Sequence, residues 1–213
     1  MVLYLCIIGI ATALIALFNS IFAVPVYDFG VGYAIFAAIA TTLAVIAIDA
    51  VVAIIVRLFP AKNFDPHKKI FRSQAWEKNF YLSIGVKAWK DKIPETGKLL
   101  VKFSKTEVAQ KDNPEYLYKF LTEMGYAEIM HLISTVAGFL VIFIFPLEYA
   151  LLFGVPAATV NFLLQIPPCI VQRYNRPKVL KLYERSLKQQ AERLNTSKEA
   201  NSENAIPTDS ATN

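Results

Sequence analysis

VGYAIFAAIATTLAVIAIDAVVAIIV, from Val31 to Val56, carries a single charged side chain, Asp49, in 26 residues. An α-helix needs about 20 apolar residues to cross the hydrocarbon core of a bilayer, so this stretch is long enough to span one. Upstream, VLYLCIIGIATALIALFNSIF, from Val2 to Phe22, has no charged residue at all and predicts another span. Toward the C-terminus, two further apolar stretches, about Ile129 to Phe145 and about Tyr149 to Val171, are broken only by isolated polar residues. The whole chain of 213 residues is 55% hydrophobic, against about 45–50% in a typical soluble domain. The expected fold is an all-α integral membrane protein with transmembrane helices at about 2–22, 31–58, 129–145 and 149–171, accompanied by amphipathic helices at the membrane surface.

A cleaved signal sequence would begin with a basic segment and have a shorter apolar core. Neither feature precedes or bounds Val2–Phe22, so a retained span is expected there. Cys6 and Cys169 both fall in apolar segments, and their spacing predicts neither a disulfide framework nor a metal site.

The charge distribution orients the chain. Of 22 Lys and Arg residues, one is Arg57, thirteen lie between Lys62 and Lys119, and eight between Arg173 and Lys198. The connections around Val24–Gly30 and Pro146–Glu148 have none. By the positive-inside rule those two turns face outward, and both termini and the 60–128 segment are cytoplasmic, in a multi-pass protein of the cell membrane. The net charge of +5 needs no nucleic-acid partner, since basic residues beside a membrane are drawn to anionic head groups at about 1 kcal/mol each.

Residues 60–128 are polar yet rich in aromatics. Trp76, Phe80, Ile84 and Ala88 recur at i, i+4 with Glu77, Lys78 and Lys87 elsewhere on the wheel, which predicts a helix lying along the surface and limited by Pro94. Pro177 is placed to open a last interfacial helix over 177–194. From 195 to 213 the chain turns to Ser, Asn, Thr, Ala and Glu, a composition expected to stay disordered. Residues 1–194 then form a single membrane-embedded domain.

Polar groups at membrane depth call for a reason. Asp49 could serve a proton or substrate path, or pair with a polar group on a neighbouring helix. Glu128 and His131, three residues apart, share a helix face, where a carboxylate can orient an imidazole as a general base; a structural histidine is the alternative. A di-iron site with this spacing would need a second copy, and there is none. The run Gln172-Arg173-Tyr174-Asn175-Arg176 follows the fourth apolar stretch directly, and its arginines suit phosphate or acyl-donor recognition. Glycine-rich phosphate loops, Cys/His metal patterns, nucleophile elbows and the H-x-x-x-x-D acyltransferase signature are all missing.

Three blocks resemble a known family: Trp76-Glu77 with Val86-Lys87-Ala88-Trp89-Lys90-Asp91-Lys92-Ile93-Pro94; Ala127-Glu128-Ile129-Met130-His131; and Ile170-Val171-Gln172-Arg173-Tyr174-Asn175-Arg176-Pro177. The resemblance is to the glycosyl-4,4'-diaponeurosporenoate acyltransferases, bacterial membrane proteins of staphyloxanthin-type carotenoid synthesis, and spans roughly residues 60–190. It implies transfer of a fatty acyl group from a cytoplasmic thioester, acyl-CoA or acyl-carrier protein, to a sugar hydroxyl of a membrane glycolipid. No bound cofactor or metal is expected. In that reading His131, oriented by Glu128, is the base. Asn175, Arg173 and Lys90 hold the oxyanion or the donor's phosphates; Trp76, Glu77 and Trp89 shape the sugar or acyl-chain entrance; and Gln172, Tyr174, Arg176 and Lys92 complete the substrate site. The expected partners are membrane lipids, the glycolipid acceptor and the donor, and a homo-oligomer is compatible with them. A non-enzymatic scaffold in a lipid-synthesis complex and a small transporter remain the alternatives.

Overall fold

The structure, a computed structural model, describes residues 2–93 and 110–203, with side chains placed as far as residue 198. Pro94, expected to limit the surface helix, lies outside the described residues. All regular structure among them is helical. Four helical stretches are long and apolar enough to cross a membrane: Val2–Tyr27, Val31–Leu58, Pro114–Phe143 and Leu147–Lys198.

The first comprises α1 (Val2–Phe18), a π-turn at Asn19–Ala23 and α2 (Val24–Tyr27). Helix α3 is Val31–Leu58. Both are inverted relative to a soluble helix. Leu5, Leu14, Leu17, Phe36, Leu43 and Ile54 are exposed, while Ala34, Ala37, Ala38 and Thr41 are completely buried. Small residues inside let helix backbones approach closely, and large ones outside suit a lipid solvent. At the end that lacks basic residues, Phe29, Tyr33, Tyr149 and Phe153 form an edge-on aromatic cluster. The π-turn there is stitched to a second one, Ala150–Gly154: buried Asn19 donates to Ile15 O (2.8 Å) and to Leu152 O (2.9 Å).

After Leu58 the chain lies across the basic end. Phe64 stacks on Tyr126 at 3.8 Å, and both pack with Val52, Val56 and Phe71. Two short helices follow, α4 (Ala75–Ser83) and α5 (Val86–Trp89). The continuous surface helix expected through Ala88 is broken at Gly85, whose φ of 66° is left-handed and favours glycine. Trp76 and Phe80 on α4 remain exposed, as a membrane-surface helix requires, while Glu77 and Tyr81 point inward.

Helix α6 (Pro114–Ala137) starts well before the expected third span, with Asn113 accepting from Tyr116 N–H at 3.1 Å as its N-cap and Pro114 at its first turn. Its N-terminal half is buried because it packs on the last helix through Leu117, Phe120, Leu121, Met124 and Val179. It tightens into a 3₁₀ turn, Gly138–Phe143, before Pro146. After the single turn of α7 (Leu147–Tyr149) and the π-turn, α8 runs unbroken from Val155 to Glu203.

Two expectations are corrected by α8. Pro177 does not open a separate helix: Pro167, Pro168 and Pro177 all lie within α8. An interior proline removes one backbone hydrogen bond, but a helix flanked by neighbours tolerates it. The tail expected to be disordered from 195 is helical as far as Glu203, and its remainder is outside the described residues. The stretch Leu147–Lys198 is 52 residues; at 1.5 Å per residue it is far longer than a bilayer of about 30 Å, so α6 and α8 project together beyond the membrane as an antiparallel pair.

Candidate functional site

Helix α8 carries Asn161, Gln165, Arg173 and Arg176 along the side that meets α6. Helix α6 answers with Glu128, His131 and Ser134, at i, i+3 and i+6. The two stripes meet in three successive polar layers.

The layer nearest the basic end is an ion cluster. Arg173 grips Glu77 with two bonds, Nε to Oε2 at 2.9 Å and Nη2 to Oε1 at 2.6 Å, and gives Nη1 to Glu128 Oε1 at 2.6 Å. Arg176, 2% exposed, takes the other Glu128 oxygen at 3.0 Å and lies 4.6 Å over the Phe71 ring. Two guanidinium groups against two carboxylates leave the cluster neutral. Burial by itself would raise the Glu77 carboxyl, but the Arg173 hydrogen bonds and the Gln74 backbone N–H hold it below its usual value. Tyr81 donates to Glu77 Oε2 at 3.1 Å; burial, then the facing carboxylate, push its phenol up to about 12, so it stays a neutral donor. Alongside, Arg57 makes a two-bond pair with Glu123 at 2.9 and 2.7 Å, fixing the end of α3 to α6.

One turn deeper, His131 Nδ1 is 2.6 Å from Gln165 Oε1, and Gln165 Nε2 is 2.6 Å from Asp49 Oδ2. In the third layer Asn161 Nδ2 donates to Asp49 Oδ1 and to Ser134 O, each at 3.3 Å. Asp49 accepts from two amides, so its carboxylate sets which end of Gln165 faces it. The amide oxygen then faces His131, and an oxygen accepts only from a protonated Nδ1. In its neutral form the imidazole then carries its lone pair on Nε2.

This geometry corrects the expected Glu128–His131 pairing. Both Glu128 oxygens are engaged by arginines, and the group orienting His131 is the Gln165–Asp49 pair. Asp49 thus acquires a partner set. Local spacing around His131 gives no sign of Gln165, because the amide comes from another helix, 34 residues on.

The remaining candidates scatter around these layers. A cleft of about 540 Å³ opens between α4 and α8, lined by Glu77, Tyr81, Arg173, Tyr174 and the lysines Lys78, Lys87, Lys178 and Lys181, among others. Tyr174 is buried edge-on against Tyr81 with ring centres 6.4 Å apart. Trp89 packs beside Val86, Tyr81 and Tyr174, its indole donating to Ile84 O at 3.1 Å, so it supports the cleft's end wall. Exposed Trp76 stacks edge-on with Phe80. Lys90 pairs with its neighbour Asp91, and Lys92 is exposed in the same 3₁₀ turn. Gln172 and Asn175 are half-buried and make no side-chain hydrogen bond among the described residues; Asn175 is outside the ion cluster. The sequence places Lys78 and Lys87 on the polar side of the surface helix without assigning any of the four lysines to a site, although Tyr174, Lys178 and Lys181 recur at i, i+4, i+7 and so share one face. Groups of three or more His, Cys, Asp or Glu arranged to hold a metal are not found among the described residues.

The first layer of the site also carries the resemblance. Glu77, Glu128 and the Arg173/Arg176 pair come one from each of the three sequence blocks, and the structure closes them into one cluster. A family model described as glycosyl-4,4'-diaponeurosporenoate acyltransferase matches residues 67–185, more than half of the chain. The chain belongs to this family. Its acyltransferase character and its place among carotenoid-synthesis proteins follow from that membership, and the four apolar helices make it a membrane protein. Helices α1 to α3, including Asp49, precede the matched region, which contains the ion cluster, His131, Gln165 and the whole cleft. No curated protein matches the chain. No solved structure matches it either.

Proposed function

We propose that this acyltransferase moves a fatty acyl group from a thioester donor to a sugar hydroxyl of a membrane glycolipid, a glycosyl carotenoid in the family's named case, at the cytoplasmic face. The observation that carries the reading is His131, held through Nδ1 by the Gln165–Asp49 pair and one turn from an ion cluster built from all three family blocks.

His131 Nε2 takes the proton of the acceptor hydroxyl as its oxygen bonds to the thioester carbonyl carbon. The carbon–sulfur bond then breaks, the acyl group remains as an ester on the sugar, and the imidazolium returns the proton to the leaving thiolate. Gln165 and Asp49 act through His131 by holding its tautomer and stabilising the positive charge it gains. Arg173 and Arg176 are occupied by Glu77 and Glu128, so their part in this reading is to lock α4, α6 and α8 into register. Basic residues gathered at one end of the bundle support cytoplasmic placement of that end.

The test is acyl transfer by purified protein in lipid nanodiscs, with radiolabelled acyl thioester and glycolipid acceptor. His131→Ala should lower the rate by about 10²–10⁴-fold, the usual contribution of a general base. Transfer at the parent rate would remove the assignment and favour a non-enzymatic scaffold. Lipid analysis of a deletion strain identifies the acceptor: the acylated glycolipid should vanish while its unacylated precursor accumulates.

A further inference from the structure

We propose that the cleft between α4 and α8 binds the phosphate-bearing end of the acyl thioester, with Lys78, Lys87, Lys178 and Lys181 as its anion ligands. The assignment rests on the acyl-transfer reading for the identity of the ligand, and on the cleft's own chemistry for its class.

Four lysines converge on one concavity of about 540 Å³, within the roughly 300–1,000 Å³ typical of small-molecule sites. The acidic residue in its lining is Glu77, and that carboxylate is turned away into two bonds from Arg173. Among the described residues no carboxylate lies within ion-pair distance of any of the four lysines, so none of these residues compensates their charge. Like charges held around a cavity repel one another and attract an anion of matching size. Lys178 Nζ sits 4.2 Å over the ring of Tyr174, which lines the same cleft, so the ammonium is held at the cleft wall.

The division of labour between the two cation types fits their chemistry. Arginines with a planar fork are spent on the carboxylates of Glu77 and Glu128, where two-bond geometry matters. Lysines are point charges on flexible stems, suited to a phosphate ester whose oxygens adopt several orientations. The cleft adjoins the ion cluster through Arg173, a residue of both, and the cluster adjoins His131 one turn on along α6. A ligand anchored by its phosphates here has its thioester arm free to extend toward the membrane side, where the acceptor is held.

A phosphate ester reaches such a site from either of two sources, a coenzyme-type acyl donor or an anionic lipid head group. Coenzyme A, a dead-end analogue of the donor, is the probe. Its affinity is measured for the full chain in nanodiscs of zwitterionic lipid and again in nanodiscs containing phosphatidylglycerol. Binding should be salt-dependent, should survive His131→Ala, and should weaken by about fivefold for each lysine removed, about 25-fold for Lys178→Gln with Lys181→Gln. Inorganic pyrophosphate should compete.

Coenzyme A affinity unchanged in the double lysine variant, with thermal unfolding like the parent's, overturns the site. If the variant unfolds early, Lys78→Gln with Lys87→Gln tests the same cleft from α4, and unchanged affinity there has the same force. Phosphatidylglycerol that displaces coenzyme A only from the parent assigns the cleft to a lipid head group and overturns the donor identity. A lysine-sensitive affinity in a chain whose His131→Ala variant still transfers acyl groups would keep the cleft and remove the base.

Discussion

His131 Nδ1 and Gln165 Oε1 stand 2.6 Å apart, and the amide between His131 and Asp49 passes the orienting role from a carboxylate on α3 to an imidazole on α6. Replacing the amide should therefore be felt in the chemistry before it is felt in the fold. Gln165→Leu leaves a similar volume with no acceptor for Nδ1–H. It should lower kcat by roughly 10–100-fold, the scale on which partners that orient a functional imidazole matter, while KM for the donor changes little. Gln165→Glu retains an acceptor and should recover part of the rate.

Asp49 lies outside the family-matched region, yet its carboxylate fixes the Gln165 amide. In Asp49→Asn the facing group can donate as well as accept, so Gln165 loses its single favoured orientation. The expected result is a fall in kcat smaller than that of Gln165→Leu. Solid-state or solution NMR of the ¹⁵N-labelled imidazole checks the cause: the parent should show one tautomer and the variant a mixture of two.

Arg176 is 2% exposed and takes one oxygen of Glu128. Glu128→Gln leaves two guanidinium groups facing a neutral amide, one of them buried. Breaking a buried pair from one side costs about 3–5 kcal/mol, so thermal unfolding in detergent should fall steeply. Adding Arg176→Met to Glu128→Gln removes the stranded charge and should recover much of the loss, which a simple deficit of contacts would not do.

Much of this fold is written in local composition. The spans at Val2–Phe22 and Val31–Val56 follow from runs without charge, and the gathering of Lys and Arg at one end follows from counting. What local reading misses is competition between near and distant partners. Glu128 is three residues from His131, but Arg173 and Arg176, 45 and 48 residues away, offer it charge-assisted bonds, roughly twice as strong as neutral ones. Pro177 has the look of a helix start, and α8 runs through it because α6 packs alongside through Leu121, Met124 and Val179. Gly85 was the overlooked punctuation: a glycine five residues before Lys90 divides the amphipathic stripe that Trp76, Phe80, Ile84 and Ala88 define. Three blocks far apart in sequence revealed the family, but only the folded chain shows that their charged residues neutralise one another.

The Glu77–Arg173 bonds make α4 acid-sensitive. The folded carboxyl titrates below its ordinary value of 4.5, so the unfolded chain binds the proton more readily than the folded one. The stability Glu77 contributes is then complete above that ordinary value and is lost as pH falls through the lower folded value. Fluorescence of Trp76 and Trp89, both on the short surface helices, should report loosening of this region below about pH 4.5. In Glu77→Gln the acid transition should shrink, with lower stability at neutral pH because Arg173 has lost its two-bond partner.

Gly138 lies where α6 gives way to the 3₁₀ turn, and a Cβ placed there would run into the Asn161 amide. Asn161 cannot yield without releasing Asp49 and Ser134 O, its two acceptors. Gly138→Ala should consequently cost about 1–3 kcal/mol, the usual penalty for overpacking a tight contact. Because the displaced side chain belongs to the network that holds Asp49, kcat should fall as well. Gly9, which has open space around it, is the control: Gly9→Ala should leave both unfolding temperature and turnover at the parent values. If Gly138→Ala unfolds like the parent and turns over normally, α6 and α8 are farther apart at this level than the structure places them, and the third polar layer would have to be redrawn.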